Sequence, residues 1–215
     1  LENSLSKVKL STWFLIPSLE SPEADKKEFL SKINPNGRIP ALETPDGPIY
    51  ESGAIIRYIA RLDKSGKLYG SNPYHQALVD QWVDWSGLNL EPAVEAYLLP
   101  YYGWIPCVKE SFDKAHNDIK KYLRVLDNHC KNCGKYLVGD SITIADIAIA
   151  TSLVACFQWT WDENYRKSIP NVTKWFQGIA SEDNWKKVKL YNNILFWLGL
   201  WKAHSLPTTL ALLHC

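Results

Sequence analysis

The chain has 215 residues, 46% of them hydrophobic, with 24 basic residues against 23 acidic ones and a net charge of +1. That apolar content is enough for a full core in one large domain or two small ones, and it excludes wholesale disorder. The even charge balance, whose largest basic cluster is Lys186-Lys187 with Lys189, excludes the electrostatic footprint of a nucleic-acid binder.

In chain order, Val8, Leu10, Thr12, Phe14 and Ile16 alternate across residues 7–16 and predict a strand, with a helix over residues 3–11 followed by a short strand as the alternative. Pro17 and Pro22 punctuate the segment after it, and Ala24 to Ile33 reads as a short helix with Phe29, Leu30 and Ile33 apolar. Gly37 to Leu42 starts a second strand, Pro45-Asp46-Gly47-Pro48 is a turn, and Ile49-Tyr50 a brief strand, so the pair predicts an antiparallel hairpin. A helix is expected from Ser52, a good N-cap, because Ala54, Ile55, Tyr58, Ile59 and Leu62 form one apolar stripe.

The polar segment from Asp63 to Asn72 marks a domain boundary. The expected division is residues 1–63, residues 64–190 and an atypical apolar tail, 191–215. Everything after the boundary reads as helix. One long helix is expected from Pro73 to about Leu98, and another from about 108 to 131. An apolar helix opens at the capping pattern Thr143-Ile144-Ala145-Asp146, and further helices run from Pro170 to about Ala180 and from Asp183 to about Leu190.

Five cysteines, odd in number and irregularly spaced, do not make a disulfide framework and point to a reducing compartment. Cys130 and Cys133 form a C-x-x-C, but it lies late in a polar helix pattern. It lacks the strand-to-helix context of a redox motif and the second ligand pair of a zinc site, so neither role is expected. The chain contains no methionine, as expected of a sequence that begins after its natural start, and it shows no secretory signal pattern. The apolar run from Ile194 to Trp201 falls short of the roughly 20 residues that span a bilayer. It reads first as a helix closing over a core, with partner docking and membrane association as the alternatives.

Three motifs in order carry a resemblance. Asn34-Pro35-Asn36-Gly37-Arg38-Ile39-Pro40, Glu51-Ser52-Gly53-Ala54-Ile55, and Leu137-Val138-Gly139-Asp140 with Thr143 and Asp146 resemble the glutathione transferase fold. The resemblance covers roughly residues 24 to 190. It implies an α/β, thioredoxin-like N-terminal domain, here shortened, followed by an all-α helical domain. It implies no cofactor beyond glutathione as ligand or substrate, bound by Arg38, Ile39, Pro40, Glu51 and Ser52, with Thr143 and Asp146 as a structural cap and no metal. Taken singly these residues have plainer readings: Ser52 as a helix cap, Glu51 and Arg38 as solvated charges, Pro40 as a trans proline opening a strand. Their joint pattern favours a pocket.

The family resemblance implies activation of the glutathione thiol by a Tyr, Ser or Cys near the end of the first strand or the start of the first helix. Only about 23 residues precede the helix at Ala24, where the family pattern takes about 45. The hydroxyls there are Ser4, Ser6, Ser11 and Thr12, none in a clear motif, so the catalytic residue is unassigned. In the helical half, Gln81-Trp82-Val83-Asp84-Trp85-Ser86 and Leu99 to Pro106 are similar to the transferase-like region of elongation factor 1 gamma subunits. That likeness implies a cytoplasmic scaffold, a dimer or complex subunit, binding other elongation factor 1 subunits and an aminoacyl-tRNA synthetase, with no direct nucleic-acid or membrane contact. The alternatives are an active glutathione transferase conjugating electrophiles, and a transferase-like subunit of some other assembly.

Overall fold

The structure, a computed structural model, describes residues 9–11 and 23–188; the expected remainder of the first strand and the tail 191–215 lie outside them. Contacts divide the chain into two units, the first ending at Tyr69 and the second beginning at Gly70.

The first unit contains β1 (Lys9–Ser11), α1 (Glu23–Lys32), β2 (Ala41–Thr44), β3 (Gly47–Tyr50) and α2 (Ser52–Leu62). The strands form one antiparallel sheet in the order β1-β2-β3. Ala41 lies opposite both Ser11 and Tyr50, and Leu42 opposite Leu10 and Ile49. The β2–β3 turn is fastened by Thr44, whose hydroxyl donates to Gly47 O at 2.7 Å and accepts from the Asp46 amide. Ala41, Leu42, Ile55 and Ala60 are buried. The Arg61 guanidinium lies 4.6 Å from the ring centre of Tyr69 and donates to its hydroxyl at 2.8 Å, tying the end of α2 to the end of the unit.

Two sequence expectations change here. The second strand starts at Ala41 rather than Gly37, because Pro40 has no N–H to give a ladder and the Arg38 carbonyl is taken by the Asn34 side chain. Ser52 is not the N-cap: Glu51 holds that position, and Ser52 is already helical.

The second unit contains α3 (Pro73–Trp85), α4 (Glu91–Tyr101), α5 (Lys109–Cys130), α6 (Ile144–Ala155), α7 (Glu163–Lys167), α8 (Pro170–Ala180) and α9 (Asp183–Val188). The single helix expected over 73–98 is interrupted by a π-helical turn, Ser86–Leu90. Pro92, at the start of α4, cannot donate to the carbonyl four residues back, and the wider turn absorbs that break. A second π-helical turn, Cys156–Thr160, ends α6 where the sequence suggested plain helix. The Ser86 hydroxyl, buried in the first turn, lies 3.2 Å from that of Ser152 on α6. The core surrounds α6, whose Ile149, Ala150 and Leu153 are fully buried with Ile119 of α5 and Val172 and Ile179 of α8. Phe157 and Phe176 stack with ring centres 4.1 Å apart.

Thr143 and Asp146 form a reciprocal capping box at the start of α6. Asp146, wholly buried, takes more than that box requires. It accepts from the Leu137 amide at 2.9 Å, the Thr143 amide at 3.0 Å, the Thr143 hydroxyl at 3.2 Å and the Trp175 indole at 3.1 Å. Burial pushes its carboxyl above the ordinary aspartate range, and these donors pull it back. No helix among the described residues is long and apolar enough to cross a membrane.

Candidate functional site at the start of helix α2

The register of β2 and β3 brings the motif residues together. Ala41 pairs with Tyr50, so Pro40 and Glu51 leave the same end of the hairpin side by side. Ser11 of β1 pairs with Ala41 at that end.

The loop leading to Pro40 is built around Asn34, a side chain only 2% exposed. Its Nδ2 donates to Arg38 O at 2.6 Å and its Oδ1 accepts from the Asn36 amide at 2.9 Å. The Gly37 amide donates to Asn34 O at 3.0 Å, with Gly37 at φ 66, and a Cβ there would meet Leu30 Cδ2 at 3.0 Å. Asn34 therefore works from inside as a staple that sets the path of residues 36–40. Sequence reading passed over it, because an asparagine in an N-P-N-G run reads as turn chemistry alone. Arg38 is exposed, Ile39 and Pro40 are half-buried, and the Ile39–Pro40 peptide is cis.

Glu51 is the one residue other than glycine at positive φ among the described residues, at φ 72 and ψ 119. Such a conformation costs a non-glycine residue about 1–3 kcal/mol and clusters where ligands are held. The turn reverses the chain out of β3 and starts α2 at once. The Ala54 and Ile55 amides both donate to Glu51 O at 3.0 Å, while the amides of Ser52 and Gly53, at the first helical positions, have no intrahelical acceptor. The first turn carries no acidic side chain, and Glu51 does not cap the helix amides with its carboxylate. Glu51 and Ser52 are both exposed. The result is an open helix start whose partial positive charge favours an anion, beside an exposed carboxylate suited to an ammonium group and an exposed guanidinium suited to a second carboxylate. Arg38, Ile39, Pro40, Glu51 and Ser52 thus all belong to the first unit and border one end of its sheet. No group of three or more His, Cys, Asp or Glu side chains among the described residues is arranged to hold a metal.

Family comparison places these features. The model of the glutathione S-transferase N-terminal domain matches residues 16–61, and that of its C-terminal domain matches residues 90–183. A glutathione S-transferase of known structure from Pseudomonas fluorescens is 30% identical, with a TM-score of 0.63, over 73% of this chain and 76% of that one. The chain belongs to the glutathione S-transferase family. Its fold is accordingly the glutathione transferase fold, with a thioredoxin-like first unit and a helical second one.

Among curated relatives, elongation factor 1-gamma 1 of Oryza sativa is 37% identical over 161 residues, which is 75% of this chain and 38% of that protein. Elongation factor 1-gamma-A of Xenopus laevis is 35% identical over 162 residues, 75% of this chain and 36% of that one. The GST-like domain of elongation factor 1-gamma from Saccharomyces cerevisiae shares the fold, with a TM-score of 0.66 at 24% identity over 78% of this chain and 79% of that one. The chain thus spans under half the length of the curated relatives it matches.

Proposed function

We propose that this glutathione S-transferase family member works as the transferase-like scaffold of an elongation factor 1-gamma protein in the cytoplasm. It would join other elongation factor 1 subunits, and an aminoacyl-tRNA synthetase, into one assembly. The observation that carries this reading is identity of 35–37% with elongation factor 1-gamma proteins across three quarters of the chain.

Within the scaffold we place a glutathione pocket at the β3–α2 junction. The ligand's γ-glutamyl carboxylate docks on the Ser52 and Gly53 amides, with the Ser52 hydroxyl as a further donor. Its ammonium pairs with Glu51, its backbone runs along Ile39 before Pro40, and its glycyl carboxylate meets Arg38. The open helix start and the positive φ of Glu51 support this placement. The same geometry favours a second reading, an active transferase that conjugates glutathione to electrophiles.

Two assays on the full chain separate the readings. The scaffold reading expects co-purification with elongation factor 1 subunits, and retention on immobilised glutathione without turnover of chlorodinitrobenzene. Turnover at ordinary transferase rates would replace it with the second reading. Absence of both translation-factor binding and glutathione binding would remove both.

A further inference from the structure

The C-terminal end of α5, in the second unit, holds a pair of thiols that the α2 site does not use. Cys130 is the last residue of α5. Beyond it the backbone keeps winding: the Lys131 amide donates to Asp127 O, and the Asn132 and Cys133 amides both donate to His129 O, each at 3.0 Å. Gly134, at φ 80, then turns the chain away. The winding carries Cys133 back over Cys130, residues three apart on a turn being neighbours. The two thiols lie close enough to influence one another's ionisation. The Cys133 S–H in turn points to Gly134 O, at 4.0 Å. Both thiols are free and half-buried, unlike Cys156, which is fully buried in the core. The turn is braced on both sides. Asp127 accepts from the Asn171 and Val172 amides, each at 2.9 Å, and the His129 Nε2 lies 2.8 Å from Leu137 O. The turn that carries the two cysteines is therefore held by backbone winding and by contacts to two other segments.

We propose that Cys130 and Cys133 form a dithiol site that closes to an intramolecular disulfide by exchange with small organic disulfides of the glutathione disulfide class. Cys133, as thiolate, attacks one sulfur of the small disulfide. One S–S bond forms as another breaks, and one small thiolate leaves and takes up a proton. Cys130, after losing its proton to solvent or to that leaving thiolate, attacks the Cys133 sulfur of the mixed disulfide and expels the second small thiol. The sum is one protein dithiol and one small disulfide giving one protein disulfide and two small thiols, with two electrons passing to the small disulfide. Burial pushes both thiols above their ordinary range, Cys130 further than Cys133, which fits Cys133 as the attacking sulfur and Cys130 as the resolving one. Closure requires no unwinding, because the continued turn already sets the two residues on one side of it. Sequence spacing alone could not reveal this, since C-x-x-C at a helix end has no strand-to-helix context.

The test equilibrates the full chain in graded mixtures of reduced and oxidised glutathione, quenches with acid, alkylates the remaining thiols and maps peptides by mass spectrometry. The peptide holding both cysteines is expected to lose two hydrogens without a lasting glutathione adduct. Closure should be favoured roughly tenfold or more over the same reaction in urea, where the turn is lost. Cys130→Ser should trap a glutathione adduct on Cys133, and Cys133→Ser should react at Cys130 roughly tenfold more slowly than Cys133 does in Cys130→Ser. Full alkylation of both cysteines in the most oxidising mixture would overturn the proposal. So would a wild-type adduct that never closes, or closure equally favoured in urea. None of these readouts depends on the α2 site.

Discussion

Single residues bear unequal loads in this molecule. Asp146 is wholly buried and takes four donors, so Asp146→Ala leaves all of them unmet. The expected destabilisation is about 3–5 kcal/mol, read as a shift in the urea midpoint. Thr143→Ala removes the hydroxyl that accepts from the Ala145 amide and donates to Asp146, leaving Asp146 its other three donors, and should cost about 1 kcal/mol; equal losses for the two variants would deny Asp146 its wider role. Glu51 tests the opposite relation. Glycine adopts positive φ freely and serves at an N-cap, so Glu51→Gly should raise stability by about 1 kcal/mol while reducing retention on immobilised glutathione. A variant that is more stable and equally well retained would argue against a ligand role for the Glu51 carboxylate. Asn34→Ala should likewise lower stability by about 1–3 kcal/mol, because it orphans the Arg38 carbonyl and the Asn36 amide.

Between elements, the α5–α8 joint shows how a helix start can be satisfied from a distance. The first-turn amides of Asn171 and Val172, with the Asn171 side chain, donate to the Asp127 carboxylate on α5, and Ile169 at the N-cap provides no side-chain acceptor. Asp127→Ala should therefore cost about 1–3 kcal/mol, an effect seen in thermal unfolding. The start of α9 is tied differently. Glu182 pairs with Lys135 Nζ at 2.7 Å and accepts from the Tyr136 hydroxyl at 3.0 Å, which lowers its carboxyl below 4.5. A lowered folded value means that this contribution is present above 4.5 and fades as pH falls through the folded value. Glu182→Gln should therefore trail the wild type at neutral pH and converge with it in acid.

Periodicity made α2, α5 and α8 legible, because each presents a regular apolar face, while α6 stood out as a capped, almost wholly apolar run. The two π-helical turns escaped, since one extra residue per turn leaves no repeating signature. The short α7 escaped as well, being too brief for a stripe. At the candidate site the motif named Arg38, Pro40, Glu51 and Ser52, but the burial of Asn34 and the dihedral of Glu51 are products of tertiary context. Cys107 is disulfide-bonded, which the irregular spacing of the five cysteines did not announce.

Across the whole molecule, buried apolar side chains are concentrated in the second unit. Among the described residues of the first unit the buried set is Ala41, Leu42, Ile55, Ala60 and Tyr69, whereas α5, α6 and α8 share a continuous core. Local opening should track that difference. Hydrogen exchange at low urea is expected to release the amides of β2 and β3 well before those of α6, and simultaneous release would show that the two units open as one. The Asp146 hub adds an order of events in time. Its last donor, the Trp175 indole, lies 29 positions downstream in the chain. During synthesis the α6 start can wind early, but its carboxylate stays one partner short until the segment around residue 175 has emerged from the ribosome. A nascent chain halted before that point would carry a helical half that is wound but not fastened, and so within reach of proteases that the finished protein excludes.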